Sequence, residues 1–372
     1  MESKDDNATR KINRLWRYLY AYVGFFLSKN NYCFAIFITL FTLANLTEMI
    51  CNAISTFHDT SISIAKVCIF LCLLAYYIES FLCMLLIRKR QCKFLLYLNI
   101  LQGRNIDAVL RNRAWIILLI LVTSAIITLL VCLALEICFY MNFHDIPSIL
   151  QDLLIISNWF TAVVANEMSK ILFIYFCILI SFNFECLMTQ VKNTTALLYS
   201  SRKQKKMLKH DYDHQFYTIT QQLDDINNLF EPLLPIWIAG DIVYICISLR
   251  VLTNSAGDFY SFIVFTLRLL VVLLVMYFYA ARVNEKARAM AIAITKLMMQ
   301  LQQNGTLVTQ QINSLSASQT SVEQWKHQMF IQHLSLATTG IDVSGYFIIT
   351  KGSILTLLGT LFTYAVVLFQ TT

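Results

Sequence analysis

Nine ionisable side chains lie inside strongly apolar stretches of the 372-residue chain. A charge in the middle of a bilayer costs about 2.5–3.5 kcal/mol on insertion scales, so such groups usually face protein or water. Carboxylates beside guanidinium groups, with aromatic rings nearby, can bind a polar or hydroxylated small molecule by charge-assisted hydrogen bonds and stacking. The nine residues are Glu48, Lys66, Glu79, Glu136, Glu167, Lys170, Asp241, Arg250 and Arg268.

Five residues form the candidate ligand-binding set, because their helices place them in the half of the membrane nearer the outside. They are Glu136, Asn158, Trp159, Glu167 and Arg268. The alternative is structural: Glu136 or Glu167 forms an ion pair with Arg268, and Trp159 anchors its helix at the membrane surface. The sequence leaves both interpretations open.

Other chemistry has little support. His210 and His214 stand one helical turn apart and could hold a metal, but they lie in a charged stretch typical of a solvated helix face, so no metal site is expected. The chain has no Gly-rich phosphate loop, no His-Glu-x-x-His and no Gly-x-Ser-x-Gly. We therefore expect neither an enzyme nor a cofactor, and no nucleic-acid partner.

The composition indicates the elements that must position these residues. Hydrophobic residues make up 58% of the chain, charged residues 14%, and the mean hydropathy is +0.61. Nine Gly and three Pro are few, which favours long helices over many hairpins. We predict an all-α polytopic membrane protein with seven stretches long enough to span about 30 Å. The stretches are 32–55, 62–87, 114–139, 153–182, 232–253, 261–281 and 352–370.

The basic residues predict the orientation. Of the 29 Lys and Arg, 25 fall in four segments on one side of the membrane, which we call the basic side. The short segments on the opposite side contain no Lys or Arg. Basic segments stay in the cytoplasm, so the amino terminus is predicted to be cytoplasmic and the carboxyl terminus external. A G-protein-coupled receptor has the opposite orientation.

Helices are predicted to continue beyond the membrane on the basic side. Apolar residues recur at three- and four-residue spacing from Tyr212 to Phe230, leading into the fifth span. Good helix formers over 285–303 extend the sixth span, and Asn304 and Gly305 are expected to stop it. A mobile Ser/Gln-rich linker is predicted over 309–321, with a further helix starting near Val322.

The last span carries small and polar residues on one face. This face suits a water-filled conduit, with a constriction at Val367 and the amide of Gln370 near the outer mouth. The alternative is a seam of small residues packed against another helix. The residues of the face are Ser353, Thr356, Gly359, Thr360, Thr363, Val367 and Gln370.

The carboxyl-terminal residues resemble a known family. Thr363-Tyr364, five hydrophobic residues and Gln370 resemble the seventh-helix signature of the invertebrate gustatory receptors, and the segment from Gly340 to Leu355 is similar to the family's approach to that helix. Thr371 stands where the family usually has Phe. A gate built from that aromatic ring would lack the ring at this position of the chain.

The resemblance implies a ligand-gated, non-selective cation channel in the plasma membrane of chemosensory neurons. It implies a homotetramer or a heterotetramer with related subunits, opened by an extracellular sugar or other tastant. The pore and gate would include Thr356, Thr363, Val367, Gln370 and Thr371. Its partners would be the small-molecule ligand, permeating cations and the lipid bilayer.

The resemblance also implies an organisation into four parts. These are a cytoplasmic segment (1–31), a six-helix bundle with the ligand pocket and cytoplasmic extensions (32–281), a cytoplasmic linker with anchor helices (282–351), and the pore-lining helix with a short external tail (352–372). Two other functions stay open. They are a secondary transporter, since buried charges also mark substrate routes, and a light- or redox-sensing member of the same family.

Overall fold

The computed structural model describes residues 32–57, 64–103, 108–140, 146–198, 205–254, 260–309 and 339–371. These residues form nine helices and one two-stranded hairpin. The helices are α1 (Tyr32–Phe57), α2 (Ile64–Lys89), α3 (Gln91–Gly103), α4 (Ala108–Tyr140), α5 (Ile146–Leu198), α6 (Lys205–Phe230), α7 (Leu234–Asn254), α8 (Tyr260–Thr309) and α9 (Lys351–Thr371). The strands β1 (Asp342–Val343) and β2 (Phe347–Ile348) pair antiparallel.

A helix occupies each of the seven predicted spans, and the all-α polytopic fold is confirmed. By length and composition, four of the described helical stretches can cross a membrane. A fifth is added if two consecutive helices, His214–Phe230 and Leu234–Arg250, which meet at a 54° bend, count as one span. The four stretches are Asn112–Leu135, Val164–Asn193, Ile263–Leu297 and Lys351–Leu368.

Helix α5 is the centre of the bundle. It packs against α2, α4, α6 and α8, and its residues from Ala165 to Phe184 are buried on every face. Aromatic rings fill the space beside it: the ring of Phe230 lies 5.0 Å from that of Phe173 and 5.6 Å from that of Phe176. Because neighbouring helices cover α5 on every side, its apolar residues do not form a single stripe.

The approach to the fifth span is bent. Helix α6 ends at Phe230, residues 231–233 form a turn, and α7 starts at Leu234. Pro232 has no backbone N–H and cannot continue the hydrogen bonding of α6. The guanidinium of Arg90 donates to the carbonyls of Asn228 and Leu229, at 2.5 and 2.8 Å, which satisfies the end of the helix.

The hairpin before α9 was not predicted. Ser344 and Gly345 both have positive φ, 50° and 76°, as a tight hairpin turn requires. Ile341, Val343 and Ile349 are buried, so the hairpin is anchored in the core through one face. Strands of two residues are too short to show an alternating pattern in the sequence.

The expected end of the sixth helix at Asn304 and Gly305 is wrong, because α8 continues to Thr309. A single Gly costs a helix only about 1 kcal/mol, which a long cooperative helix tolerates. Helix α3 was also not predicted. The amino-terminal segment, residues 310–321 of the linker expected over 309–321, and the helix expected near Val322 lie outside the described residues.

Candidate functional site

The structure brings two of the five predicted ligand-binding residues together. Glu167 on α5 and Arg268 on α8 form an ion pair, with 3.2 Å between Nη2 and Oε2. Glu136 lies on α4, and Asn158 and Trp159 lie on α5, but their side chains are outside the described part. The pairing is the arrangement that the structural alternative expects, and a ligand role for any of the five remains a prediction.

The ion pair joins three helices. Nη1 of Arg268 donates to Oγ of Ser124 on α4 at 3.1 Å, and that hydroxyl donates in turn to the carbonyl of Leu121. Both charged side chains are largely buried, Arg268 being 10% exposed and Glu167 4%. In this low-dielectric interior the pair orients the guanidinium firmly, because each charge needs its partner.

A second charged group lies one helical turn along α5. Nζ of Lys170 contacts Oδ1 of Asp241 on α7 at 2.6 Å and Oε1 of Glu79 on α2 at 3.3 Å. Asn166 donates from Nδ2 to the same Glu79 oxygen at 3.0 Å. Asn166 and Lys170 are four residues apart and therefore share one face of α5, whereas Glu167 points towards α8.

These two groups contain one carboxylate more than they have cations. The carboxylates are Glu79, Glu167 and Asp241, and the cations are Lys170 and Arg268. Among the described residues, several buried polar atoms of the cluster have no hydrogen-bond partner, and each such atom costs about 1–3 kcal/mol. The cluster is therefore suited to bind water or a polar ligand. The atoms are Tyr76 OH, Asn166 Oδ1, Glu167 Oε1, Asp241 Oδ2 and Arg268 Nε.

Aromatic rings form one wall of this cluster. The ring of Phe265 lies 5.2 Å from that of Tyr76 and 5.5 Å from that of Tyr244, both edge-on. A cavity of about 10 Å³, lined in part by Tyr76, Tyr244 and Glu79, lies beside them and has room for one water. The sequence predicted aromatic rings next to charged groups. Among the described side chains, these rings are Tyr76, Tyr244 and Phe265, which were not the predicted ones.

Gly240 gives the carboxylate of Glu79 its space. A Cβ placed on Gly240 would collide with Oε2 of Glu79, so α7 approaches α2 closely at this point. The site residues predicted from the sequence did not include Gly240, Tyr76, Ser124 or Asn166. Spacing offered a signal for two of them, since Tyr76 precedes Glu79 by three residues and Asn166 precedes Lys170 by four.

The predicted pore face of α9 is exposed in the single chain. Thr356, Thr363, Val367 and Gln370 are all exposed, whereas the side chain of Thr371 lies outside the described part. On the other side of α9, Leu357, Leu361 and Leu368 are buried against the bundle. The helix thus presents its small polar residues away from its own chain.

The described residues contain no candidate metal site. Among the described residues, no group of three or more His, Cys, Asp or Glu side chains is placed to hold a metal ion. His214 is exposed on α6, and the side chain of His210 is outside the described part. The expectation that this pair holds no metal stays a prediction.

Comparison with solved structures identifies the fold. The chain is similar to the insect olfactory receptor OR5 from Machilis hrabei in complex with eugenol, with a TM-score of 0.76 and 12% identity over 99% of this chain and 100% of that one. A second structure of OR5 gives 0.70 and 12% identity over 93% and 90%. No protein-family model and no curated protein matches the chain. The chain therefore has the polytopic all-α fold of an insect olfactory receptor.

Proposed function

We propose that the chain is a subunit of a ligand-gated, non-selective cation channel opened by an extracellular small molecule. The fold supports the proposal because OR5, an insect chemoreceptor, has the same fold and was solved with a small molecule bound. The gustatory type rests on Thr363-Tyr364 and Gln370 in the last helix. On this proposal the ligand is a sugar or other tastant.

The polar face of α9 is the observation that carries the channel proposal. Buried residues, exposed apolar residues and exposed small polar residues follow three separate stripes along the helix. A stripe that is both uncharged and polar gains nothing from lipid tails, whereas it suits water in a shared conduit. The polar stripe contains Thr356, Gly359, Thr360, Thr363, Val367 and Gln370, and the exposed apolar stripe contains Leu355, Leu358, Phe362 and Val366.

The threonine hydroxyls on this face are arranged to meet cations. The hydroxyl of Thr356 donates to the carbonyl of Gly352, that of Thr360 to Thr356 and that of Thr363 to Gly359, at 2.8–3.1 Å. Each proton is used within the helix, so the oxygen lone pairs point outward. Oxygen lone pairs without fixed charge favour the passage of cations with little selection among them.

We further propose that the charged cluster is the floor of the ligand pocket. Glu167 and Arg268 keep one buried atom each, Oε1 and Nε, without a partner among the described residues. A hydroxylated ligand would satisfy both atoms, and Glu136, Asn158 and Trp159 would complete the pocket above them. Ligand binding would then act on α8, which packs directly against α9.

The remaining parts of the proposal concern assembly and location. A polar stripe on one helix encloses water only if several copies meet around an axis, which supports a homotetramer or a heterotetramer with related subunits. Four parts, 1–31, 32–281, 282–351 and 352–372, would serve as cytoplasmic segment, ligand-binding bundle, anchor and pore. The plasma membrane of chemosensory neurons is the expected site.

Cysteine accessibility tests the proposal. In cells expressing Thr363→Cys, we expect a positively charged thiol reagent to reduce ligand-evoked current several-fold, because residue 363 faces the conduit. Phe362→Cys is the matched control, since residue 362 is adjacent and 71% exposed but lies on the apolar stripe. Whole-cell recording during perfusion of sugars, polyols, alkaloids and amino acids gives the current.

The same recordings contain the contrary results. Equal modification of both variants without any change in current would show that α9 does not line the conduit. Saturable substrate flux without unitary currents would indicate that the protein is a transporter and not a channel. Currents evoked by ultraviolet light without ligand would indicate a light-sensing receptor.

A further inference from the structure

An apolar groove runs along the outside of the bundle between α4, α8 and α9. Its volume is about 540 Å³, and its walls include Ile120 and Leu121 from α4, Phe278 from α8, and Ile354 and Leu358 from α9. Ile120 is 59% exposed and Phe278 50%, so the groove is open to the side. It lies within stretches of α4, α8 and α9 that can cross a membrane, so it opens to lipid.

A basic pocket of about 250 Å³ continues the groove towards the basic side. Ile117 lines both spaces, and the second space adds Arg113 from α4, Glu185 from α5 and Arg282 from α8. Arg113 precedes Ile117 by one helical turn, and Arg282 follows Phe278 by one turn. Both cations therefore stand at the same end of the groove, where the helices leave the membrane.

The basic pocket has more positive than negative charges and therefore favours binding of an anion. Glu185 is shared by two cations, with Nζ of Lys286 at 3.3 Å and Nη2 of Arg282 at 3.9 Å from the same oxygen. Arg113 adds a third positive charge against the single carboxylate. Guanidinium groups bind phosphate through parallel hydrogen bonds, which makes Arg113 and Arg282 suitable for a phosphate ester.

We propose that the groove and the basic pocket together bind one anionic phospholipid from the leaflet on the basic side. The phosphate lies between Arg113 and Arg282, and an acyl chain lies along the groove against Ile354 and Leu358 of α9. The helix α9 of a second copy fits less well, because residues 351–371 contain no Asp or Glu to meet the cations. The lipid would contact the bundle and α9 at once.

Lipid retention by the full-length chain tests the headgroup part. The protein is reconstituted in vesicles of phosphatidylcholine with a minor share of phosphatidylserine, extracted again, and analysed for bound lipid by native mass spectrometry. Each cation near a membrane surface strengthens binding of an anionic lipid about fivefold. We expect Arg113→Gln with Arg282→Gln to lower phosphatidylserine retention by about 25-fold. Arg288→Gln with Lys296→Gln, two exposed cations farther along α8, is the control and leaves retention unchanged.

A second pair of variants tests the acyl-chain part. Leu358→Trp fills the groove and is expected to abolish retention while the basic pocket stays intact. Leu355→Trp lies one turn earlier on α9, is 72% exposed and does not line the groove, so retention persists. Normal size-exclusion profiles of all four variants show that folding is preserved.

Three results would overturn the proposal. Equal retention of phosphatidylserine by the wild type and by the arginine variant would show that the two arginines do not bind the headgroup. Loss in the arginine variant without loss in Leu358→Trp would indicate a site for a soluble phosphate ester. A disulfide from Ile120→Cys to a second copy would show that protein occupies the groove.

Discussion

Lys170 shares the interior of the bundle with two carboxylates, and this arrangement connects α2, α5 and α7 through charge. Removing one member of a buried ion pair typically costs about 3–5 kcal/mol, because the remaining charge stays unpaired. The cluster therefore fixes which helices lie next to one another. It places Glu79 against Gly240, where α7 has no side chain.

Gly240→Ala is expected to displace the Glu79 carboxylate from Asn166 and Lys170, since the added methyl group would occupy its place. Forcing extra volume into a packed interior costs about 1–3 kcal/mol. A drop in melting temperature of the detergent-purified protein measures the effect. Gly359→Ala is the control, because a Cβ at Gly359 meets nothing within 4 Å. Equal melting temperatures for the two variants would contradict the prediction.

At this scale the sequence identifies the charges but not their partners. Glu79, Glu167, Lys170, Asp241 and Arg268 stand out because they interrupt apolar stretches. Which carboxylate meets which cation depends on the rotation and contact of each helix, and seven apolar helices carry almost no periodic signal for that rotation.

At the scale of elements, the hairpin between β1 and β2 connects the end of α6 to the start of α9. Nδ2 of Asn227 donates to the carbonyl of Gly340 at 3.0 Å, and its Oδ1 accepts from the amide of Asp342 at 3.3 Å. Ser344 donates to the carbonyl of Glu231 at 2.7 Å. Through these bonds the position of α9 depends on the α6–α7 bend.

Asn227→Ala should loosen the hairpin, because the variant loses both hydrogen bonds and leaves a backbone carbonyl and an amide unsatisfied. The expected cost is about 1–3 kcal/mol. Faster hydrogen exchange of the amides of residues 341–349 would report it. Asn228→Ala, the exposed neighbour on α6, should leave exchange unchanged. Identical exchange in both variants would show that Asn227 does not hold the hairpin.

The elements that the sequence predicts well are those with a long and repeated signal. Each span is a run of about twenty or more mainly apolar residues, and α6 repeats its apolar residues over five turns from Tyr212 to Phe230. The hairpin offers only the dipeptide Ser344-Gly345 as a local signal. The bend before α7 has a local signal in Pro232, but the sequence does not show that Arg90, distant in the chain, caps the end of α6.

For the whole molecule, the distribution of Lys and Arg is the strongest constraint on orientation. A glycosylation acceptor inserted into 141–145 should therefore be modified, whereas the same insertion at 104–107 should not, since basic segments are retained in the cytoplasm. A mobility shift that is removed by endoglycosidase measures the modification. Modification at 104–107 alone would reverse the proposed orientation and place the ligand pocket on the other side.

Two helices are far longer than a membrane is thick. Helix α5 has 53 residues and α8 has 50, so at 1.5 Å per residue they extend about 80 and 75 Å. Each is a continuous rod that packs against the other. A tilt of about 5° around one end of such a rod moves the other end by about 7 Å, more than one helical turn. A small tilt of the helix at one face of the membrane would therefore become a large displacement of its other end beyond the opposite face. No part of the helix needs to unwind for this to happen.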